Sequence, residues 1–235
     1  MDHFTPEAKQ KVIESDKKLA HVVLIATKPD IIKQAPVYHE LKKRGELVLL
    51  CHTGQHYDFR YSGGMMEEFG ITPDILLHIE GSLNAKIAQM VERFGEVIEW
   101  LHEQGKTPIP YIHGDTSTSM AIGLGSFMHR VSCAHVEAGI RTLTPKREVY
   151  EKFYTDFKAG NFNWDEYYSA MQQRENFEQG SMEPFPEQYN TRVSEAATGY
   201  HAAAVELDRE FMLAEGFSPS TISVVGNTVA DAMQV

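Results

Sequence analysis

The sequence predicts an α/β chain, a parallel sheet crossed by helices and interrupted once by a helical insert. Three observations point there. Several apolar runs are continuous, such as residues 21–27 (HVVLIAT) and 46–52 (ELVLLCH), and strands buried on both faces read this way. Between the runs lie segments with apolar residues three and four apart, the spacing of a helix face. The resulting strand–helix–strand rhythm, punctuated by Gly and Pro, is that of a parallel sheet with crossover helices.

Taken in order, residues 1–18 are polar and read as a frayed helical lead-in. The first strand covers 21–27. Pro29 then opens a helical pattern that runs through Leu41 and closes at Gly45, with proline at the start and glycine at the end as helices prefer. Residues 46–52 form the second strand and 74–79 a short third one. Leu83, Ile87, Met90, Val91, Phe94, Val97, Ile98 and Leu101 give helix spacing over 83–104. Two more strands, 109–113 and 131–136, flank a helix over about 117–128. Residues 143–183 break the rhythm. They are charged and aromatic (Tyr150, Phe153, Tyr154, Phe157, Phe162, Trp164, Tyr167, Tyr168, Phe177) and read as two amphipathic helices joined near Gly160 and Asn161. Tyrosine and tryptophan favour interfaces where one end stays wet, and the segment begins a few residues after Glu137 and ends just before Glu187. This hairpin is therefore expected beside the edge of a cleft, over a ligand or against another subunit, the alternative being a self-contained surface elaboration. From Pro186 the rhythm resumes with a helix, a strand near 200–205, a helix over 206–214 and a strand at 221–225. Gly226 and Asn227 lead into the start of another helix. There is no internal repeat and no low-complexity tract.

Composition limits what such a chain does. Its 235 residues suit one large or two small domains, and 42% hydrophobic content fills a real core. The formal net charge of -11 speaks against nucleic acid as a partner, because proteins that bind phosphate backbones display a basic patch. A small anionic ligand stays open, since only the field in the cleft matters for it. Cys51 and Cys133 each sit in an apolar run and read as buried and reduced. No stretch approaches the ~20 apolar residues of a membrane span, and no basic-then-apolar leader follows Met1. The expectation is a soluble cytoplasmic protein.

In an open parallel sheet, ligands bind beyond the carboxyl ends of the strands. Four segments lie there: TKPDIIK after the first strand, HTGQHYD after the second, HGDTSTS after 109–113, and AHVEAGIRT through the end of 131–136. They should bring Lys28, Lys33, His56, Asp115, Glu137 and Arg141 to one edge. Each has a plain alternative. Asp115 either caps the following helix or holds or moves a proton. Glu137 and Arg141 could form a structural salt bridge, His56 could be a surface imidazole, and Lys28 and Lys33 could be solvated helix residues. Together, acids and bases on successive strand ends are what a cleft requires. A dinucleotide site would want a glycine-rich turn after the first strand. That turn is Thr27-Lys28-Pro29-Asp30, without glycine, and a P-loop is absent too.

Five motifs, TGQHYD (53–58), GDTSTS (114–119), HVEAGIRT (135–142), PEQYN (186–190) and GNTVADA (226–232), stand in the order in which they occur in the UDP-N-acetylglucosamine 2-epimerase family. TKPDIIKQAP (27–36) resembles that family's N-terminal loop. The resemblance implies the N-terminal half of a glycosyltransferase-B-type fold, in which two Rossmann-like domains face a cleft. This chain would be the first of the two (residues 1–235, with the insert at about 143–183). The second, nucleotide-binding domain would lie outside it, and the chain alone is expected to be inactive.

The resemblance further implies interconversion of UDP-N-acetylglucosamine and UDP-N-acetylmannosamine by anti elimination of UDP and its re-addition, with C2 protonated from the other face. Cations help the pyrophosphate to leave. By motif, Asp115, Glu137 and Glu187 match the catalytic acids, whose pKa a partly desolvated cleft would raise. Lys28 (where the family usually has arginine), Lys33, Gln55, His56, Arg141 and Asn190 match substrate-contacting positions. No metal or cofactor is expected. The partners would be a UDP-sugar and a second copy in a homodimer. The alternatives are a hydrolysing epimerase that releases N-acetylmannosamine and UDP, and a non-catalytic module whose aromatic insert binds a partner.

Overall fold

The computed structural model describes residues 3–54 and 64–234. By internal contacts the chain forms two compact units, one of Met1–Ile140 with Tyr189–Val235 and the other of Arg141–Gln188.

The first unit begins with helix α1 (Pro6–Glu14). The expected frayed lead-in is here a docked helix, because Ala8 and Val12, one turn apart, are fully buried and the Thr5 hydroxyl accepts the Ala8 N–H at 3.1 Å as an N-cap. Then follow β1 (Leu19–Ile25), α2 (Lys28–Lys43), β2 (Val48–His52), α3 (Gly64–Glu68), β3 (Ile75–Leu76), α4 (Leu83–Glu103), β4 (Thr107–His113), α5 (Ser117–Met128) and β5 (Cys133–Ala138). The second unit contributes β6 (Thr144–Pro145), α6 (Arg147–Lys158), α7 (Trp164–Met171) and β7 (Phe177–Glu178). The chain then runs through α8 (Glu187–Ala196), β8 (Thr198–Ala203), α9 (Glu206–Ala214), β9 (Ile222–Val224) and α10 (Val229–Ala232).

Seven strands form one sheet in the order β3-β2-β1-β4-β5-β8-β9, and every neighbouring pair is parallel. The strand direction of growth reverses between β1 and β4, which places the topological switch point there. Pleating sorts the side chains. Val22 and Leu24 of β1 face a core shared with Ala8 and Val12 of α1, Phe94 and Ile98 of α4 and Ile122 of α5. Val23 and Ile25 face the other side, with Ile31, Ala35 and Tyr38 of α2. A third cluster of Ala138, Ala203, Met212 and Ile222 seats α9. Fully burying each large apolar side chain is worth roughly 1.5–3 kcal/mol, so both faces of the sheet anchor it firmly.

The second unit is the expected pair of amphipathic helices. Phe153 meets Tyr167 edge-on at 5.3 Å between ring centroids, and Phe162 packs against Phe157 and Trp164. Pro145, Tyr154 and Met171 help to line a cavity of about 300 Å³ among these rings. The two-residue strands β6 and β7 pair antiparallel. They join the ends of the hairpin and are too short to show any pattern in the sequence.

Candidate active site

The carboxyl ends of β1, β4 and β5 meet at the switch point, and each delivers one component. After β1 the chain enters α2 through Thr27. The Asp30 carboxylate turns back to accept the Thr27 N–H and the Thr27 hydroxyl, both at 2.9 Å. This fixes Asp30 Oδ1 towards the sheet and sets Lys33, three residues on, beside it. At the end of β4, His113 is locked by Ser119. The Ser119 hydroxyl donates to the His113 carbonyl and accepts the His113 N–H.

At the end of β5 the register against β8 shifts between Val136 and Ala138. Glu137 there adopts a left-handed φ of 62°, a conformation costing about 1–3 kcal/mol in a non-glycine residue. Such a bulge re-aims a side chain. In this one the Glu137 carboxylate meets three donors. Lys33 Nζ lies 2.8 and 2.6 Å from its two oxygens, His113 Nε2 lies 2.9 Å from Oε2, and Asn227 Nδ2 donates to Oε1 at 2.6 Å. The other ring nitrogen of His113 lies 2.9 Å from Asp30 Oδ1.

The electrostatics follow from this geometry. Burial alone would raise the pKa of Glu137. The hydrogen bonds and positive charges of His113 and Lys33 together outweigh it and bring the carboxyl down to about 2. The expected upward shift is therefore reversed at this position. Burial alone would likewise lower His113, yet the two carboxylates flanking the ring leave it raised above its ordinary value. His135, on the same strand, bonds the Gly114 carbonyl through Nε2 at 2.7 Å and is brought down to about 4 by burial, so it is neutral near pH 7.

Asp115 sits in the turn between β4 and α5, but it is not the helix cap. That role belongs to Thr116, whose hydroxyl accepts the Ser119 N–H at 3.1 Å. The Asp115 carbonyl accepts from Asn190 Nδ2 at 3.0 Å, and Asn190 is itself buried, so these two expected residues do come together. Lys33 and Glu137 also meet. Lys28 is exposed in the first turn of α2. Arg141 and Glu187 belong to the second unit. Arg141 is buried, and one carboxylate oxygen of Glu187, at the first turn of α8, is buried without a hydrogen-bond partner among the described residues. Gln55 and His56 lie outside the described residues.

Three members of the cluster escape a reading of the sequence: Asp30, His113 and Asn227. Each stood inside a recognisable motif, and His113 directly precedes GDTSTS at a strand end. Their meeting, however, needs the fold. Among the described residues no group of three or more His, Cys, Asp or Glu side chains is arranged to hold a metal ion, and no helix is long and apolar enough to cross a membrane. Cys51 and Cys133 are buried and free of disulfides.

A family model described as UDP-N-acetylglucosamine 2-epimerase matches residues 39–154. Among curated proteins, the UDP-N-acetylglucosamine 2-epimerase of Bacillus subtilis (strain 168) is 28% identical over 218 residues, which is 92% of this chain and 47% of that protein. Its counterpart in Escherichia coli (strain K12) is 27% identical over 213 residues, 90% of this chain and 46% of that protein. Among solved structures, a putative UDP-N-acetylglucosamine 2-epimerase from Listeria monocytogenes superposes with a TM-score of 0.69 at 28% identity, covering 93% of this chain and 47% of that one. The S. aureus MnaA–UDP co-structure gives a TM-score of 0.68 at 26% identity, covering 93% of this chain and 47% of that one. The chain thus spans about half the length of the curated relatives it matches, and the match falls on their N-terminal half.

Proposed function

We propose that this chain, which has the fold of the N-terminal half of a glycosyltransferase-B-type protein, is a member of the UDP-N-acetylglucosamine 2-epimerase family and forms one wall of the active site of a non-hydrolysing epimerase that inverts C2 of a UDP-2-acetamido sugar. The observation that supports this most is the charged cluster at the switch point, where Glu137 is gripped by Lys33, His113 and Asn227. The C2 proton of such a sugar is barely acidic. A route through anti elimination of UDP avoids a free carbanion, and it asks for a proton acceptor on one face, a donor on the other and cations at the pyrophosphate.

Glu137 suits the acceptor side or the stabilisation of developing positive charge, because it is ionised at any pH near neutrality. A donor must come from elsewhere. Asp115 and Glu187 are the candidates, the latter with a buried oxygen that no described residue satisfies. On this reading Lys33, and Lys28 in the exposed first turn of α2, receive phosphate. Lysine supplies a point charge there and not the bidentate fork of arginine. Arg141 and Asn190 complete the proposed substrate contacts on this chain, with Gln55 and His56 from the motif after β2. The nucleotide pocket, on this reading, comes from a second domain, and the enzyme works as a cytoplasmic homodimer in the supply of sugars for cell-surface polysaccharide.

The test is the product. The longest open reading frame containing this sequence, given UDP-N-acetylglucosamine, should yield UDP-N-acetylmannosamine with the nucleotide still attached. Release of free N-acetylmannosamine and UDP in equal amounts would make it a hydrolysing epimerase instead. Absence of both products would remove the epimerase reading.

A further inference from the structure

The His113 ring lies between two carboxylates, with Nδ1 2.9 Å from Asp30 Oδ1 and Nε2 2.9 Å from Glu137 Oε2. At such a distance each gap holds one proton, so the three groups share two. Either the ring is an imidazolium between two carboxylates, or a neutral ring faces one carboxylate and one carboxylic acid. The other partners of the acids decide. Asp30 Oδ2 already accepts two hydrogen bonds from Thr27. Glu137 Oε1 accepts from Lys33 and Asn227, and Oε2 accepts from Lys33 as well as from the ring. Both Glu137 oxygens and Asp30 Oδ2 are thus met by donors other than the ring, while Asp30 Oδ1 faces the ring, and carboxylates loaded in this way stay ionised. Both ring protons therefore belong to the histidine.

We propose that His113 is a permanently charged positioning residue: an imidazolium that donates to Asp30 and Glu137 at once, and so fixes both the orientation and the ionisation of Glu137 from behind. The charged groups that face the ring are Asp30 from α2 and Glu137 from β5, and Lys33 of α2 bonds the same Glu137 carboxylate. His135, two positions before Glu137 on the same strand, adds no charge near pH 7. The two cations on Glu137 differ in freedom. The His113 side chain is 5% exposed, against 23% for Lys33. Lys33 can turn to a phosphate of an incoming ligand, and Glu137 then keeps a buried counter-ion. The charge state stands on geometry alone. Its catalytic meaning rests on the epimerase reading, and the measurement below reads charge without turnover, so the two fail separately.

The experiment is nuclear magnetic resonance on the 235-residue chain with labelled histidine and glutamate. The expected result is that both ring nitrogens of His113 carry protons and that the ring does not titrate between about pH 5 and about pH 8, across the ordinary histidine value near 6.5. The Glu137 carboxyl should stay ionised over the same range. In His113→Gln its midpoint should rise by about one pH unit or more, the usual effect of removing an adjacent opposite charge. A ring that shows one bare nitrogen near pH 7, or that titrates near 6.5, overturns the proposal. So does a Glu137 midpoint that His113→Gln leaves in place. If that variant does not fold, the wild-type ring alone decides.

Discussion

Replacing Glu137 by Gln keeps the shape of the side chain and removes the charge that Lys33 and His113 share. The carboxyl titrates at about 2 in the fold, against roughly 4.3 in an unfolded chain, and about 1.4 kcal/mol attaches to each pH unit between the two values. Its ionisation therefore stabilises the fold by about 3 kcal/mol near pH 7. The sign follows from linkage: a group depressed in the fold contributes fully above its unfolded value, and the contribution is lost as pH falls through the folded value. Only 13% of this side chain is exposed, so solvent screening takes little away. An amide could still accept one bond, but it would turn its NH2 group towards one of three donors. Glu137→Gln should thus cost about 3 kcal/mol at pH 7 and about half of that by about pH 3, where the wild type has begun to lose the same contribution. Urea unfolding of the chain followed by circular dichroism, for both proteins at both pH values, measures the gap. A gap that is under about 0.5 kcal/mol at pH 7, or that does not narrow on acidification, refutes the electrostatic account of the cluster.

Two further substitutions test local claims. Thr116→Ala should cost about 1 kcal/mol in a thermal or urea melt, because the cap on the Ser119 amide is lost, whereas Asp115→Asn leaves that cap in place; the opposite ranking would return the cap to Asp115. Gly139→Ala should destabilise by more than about 2 kcal/mol, because a Cβ there would stand 2.6 Å from the Asp208 carbonyl oxygen with φ at +92°, and wild-type stability in that variant would show that the loop after β5 is not held as described.

Much of the fold was legible because burial on both faces leaves a continuous apolar run. The run before TKPDIIK is β1, and α5 and α9 begin and end where their patterns do, at Ser117–Met128 and Glu206–Ala214. The helix α1 was expected, but not its docking, because its buried stripe is only Ala8 and Val12, too few apolar residues to stand out among charges. The helix α3, with Met66 as its one buried residue, left a similarly faint signal. At the site, Lys33 and Glu137 were legible as strand-end charges. Their grouping with Asp30, His113 and Asn227 was not, since Asp30 looks like an ordinary first-turn acid and Asn227 lies 90 positions from Glu137. The direction of the Glu137 shift depended on that grouping. Desolvation was foreseeable from a strand end, but the two cations that outweigh it come from other strands and helices.

Solvent exchange at the sugar's C2 reads the central claim most directly. The longest open reading frame that contains this chain is incubated with UDP-N-acetylglucosamine in deuterated water, and the C2 proton is followed by nuclear magnetic resonance. Wild-type protein should replace that proton with deuterium at an enzymatic rate, Glu137→Gln should slow the exchange by about two to four orders of magnitude, as loss of a positioned acid–base group does, and the 235-residue chain alone should give none. Retention of the C2 proton by the wild type, or exchange undiminished in Glu137→Gln, would contradict the account.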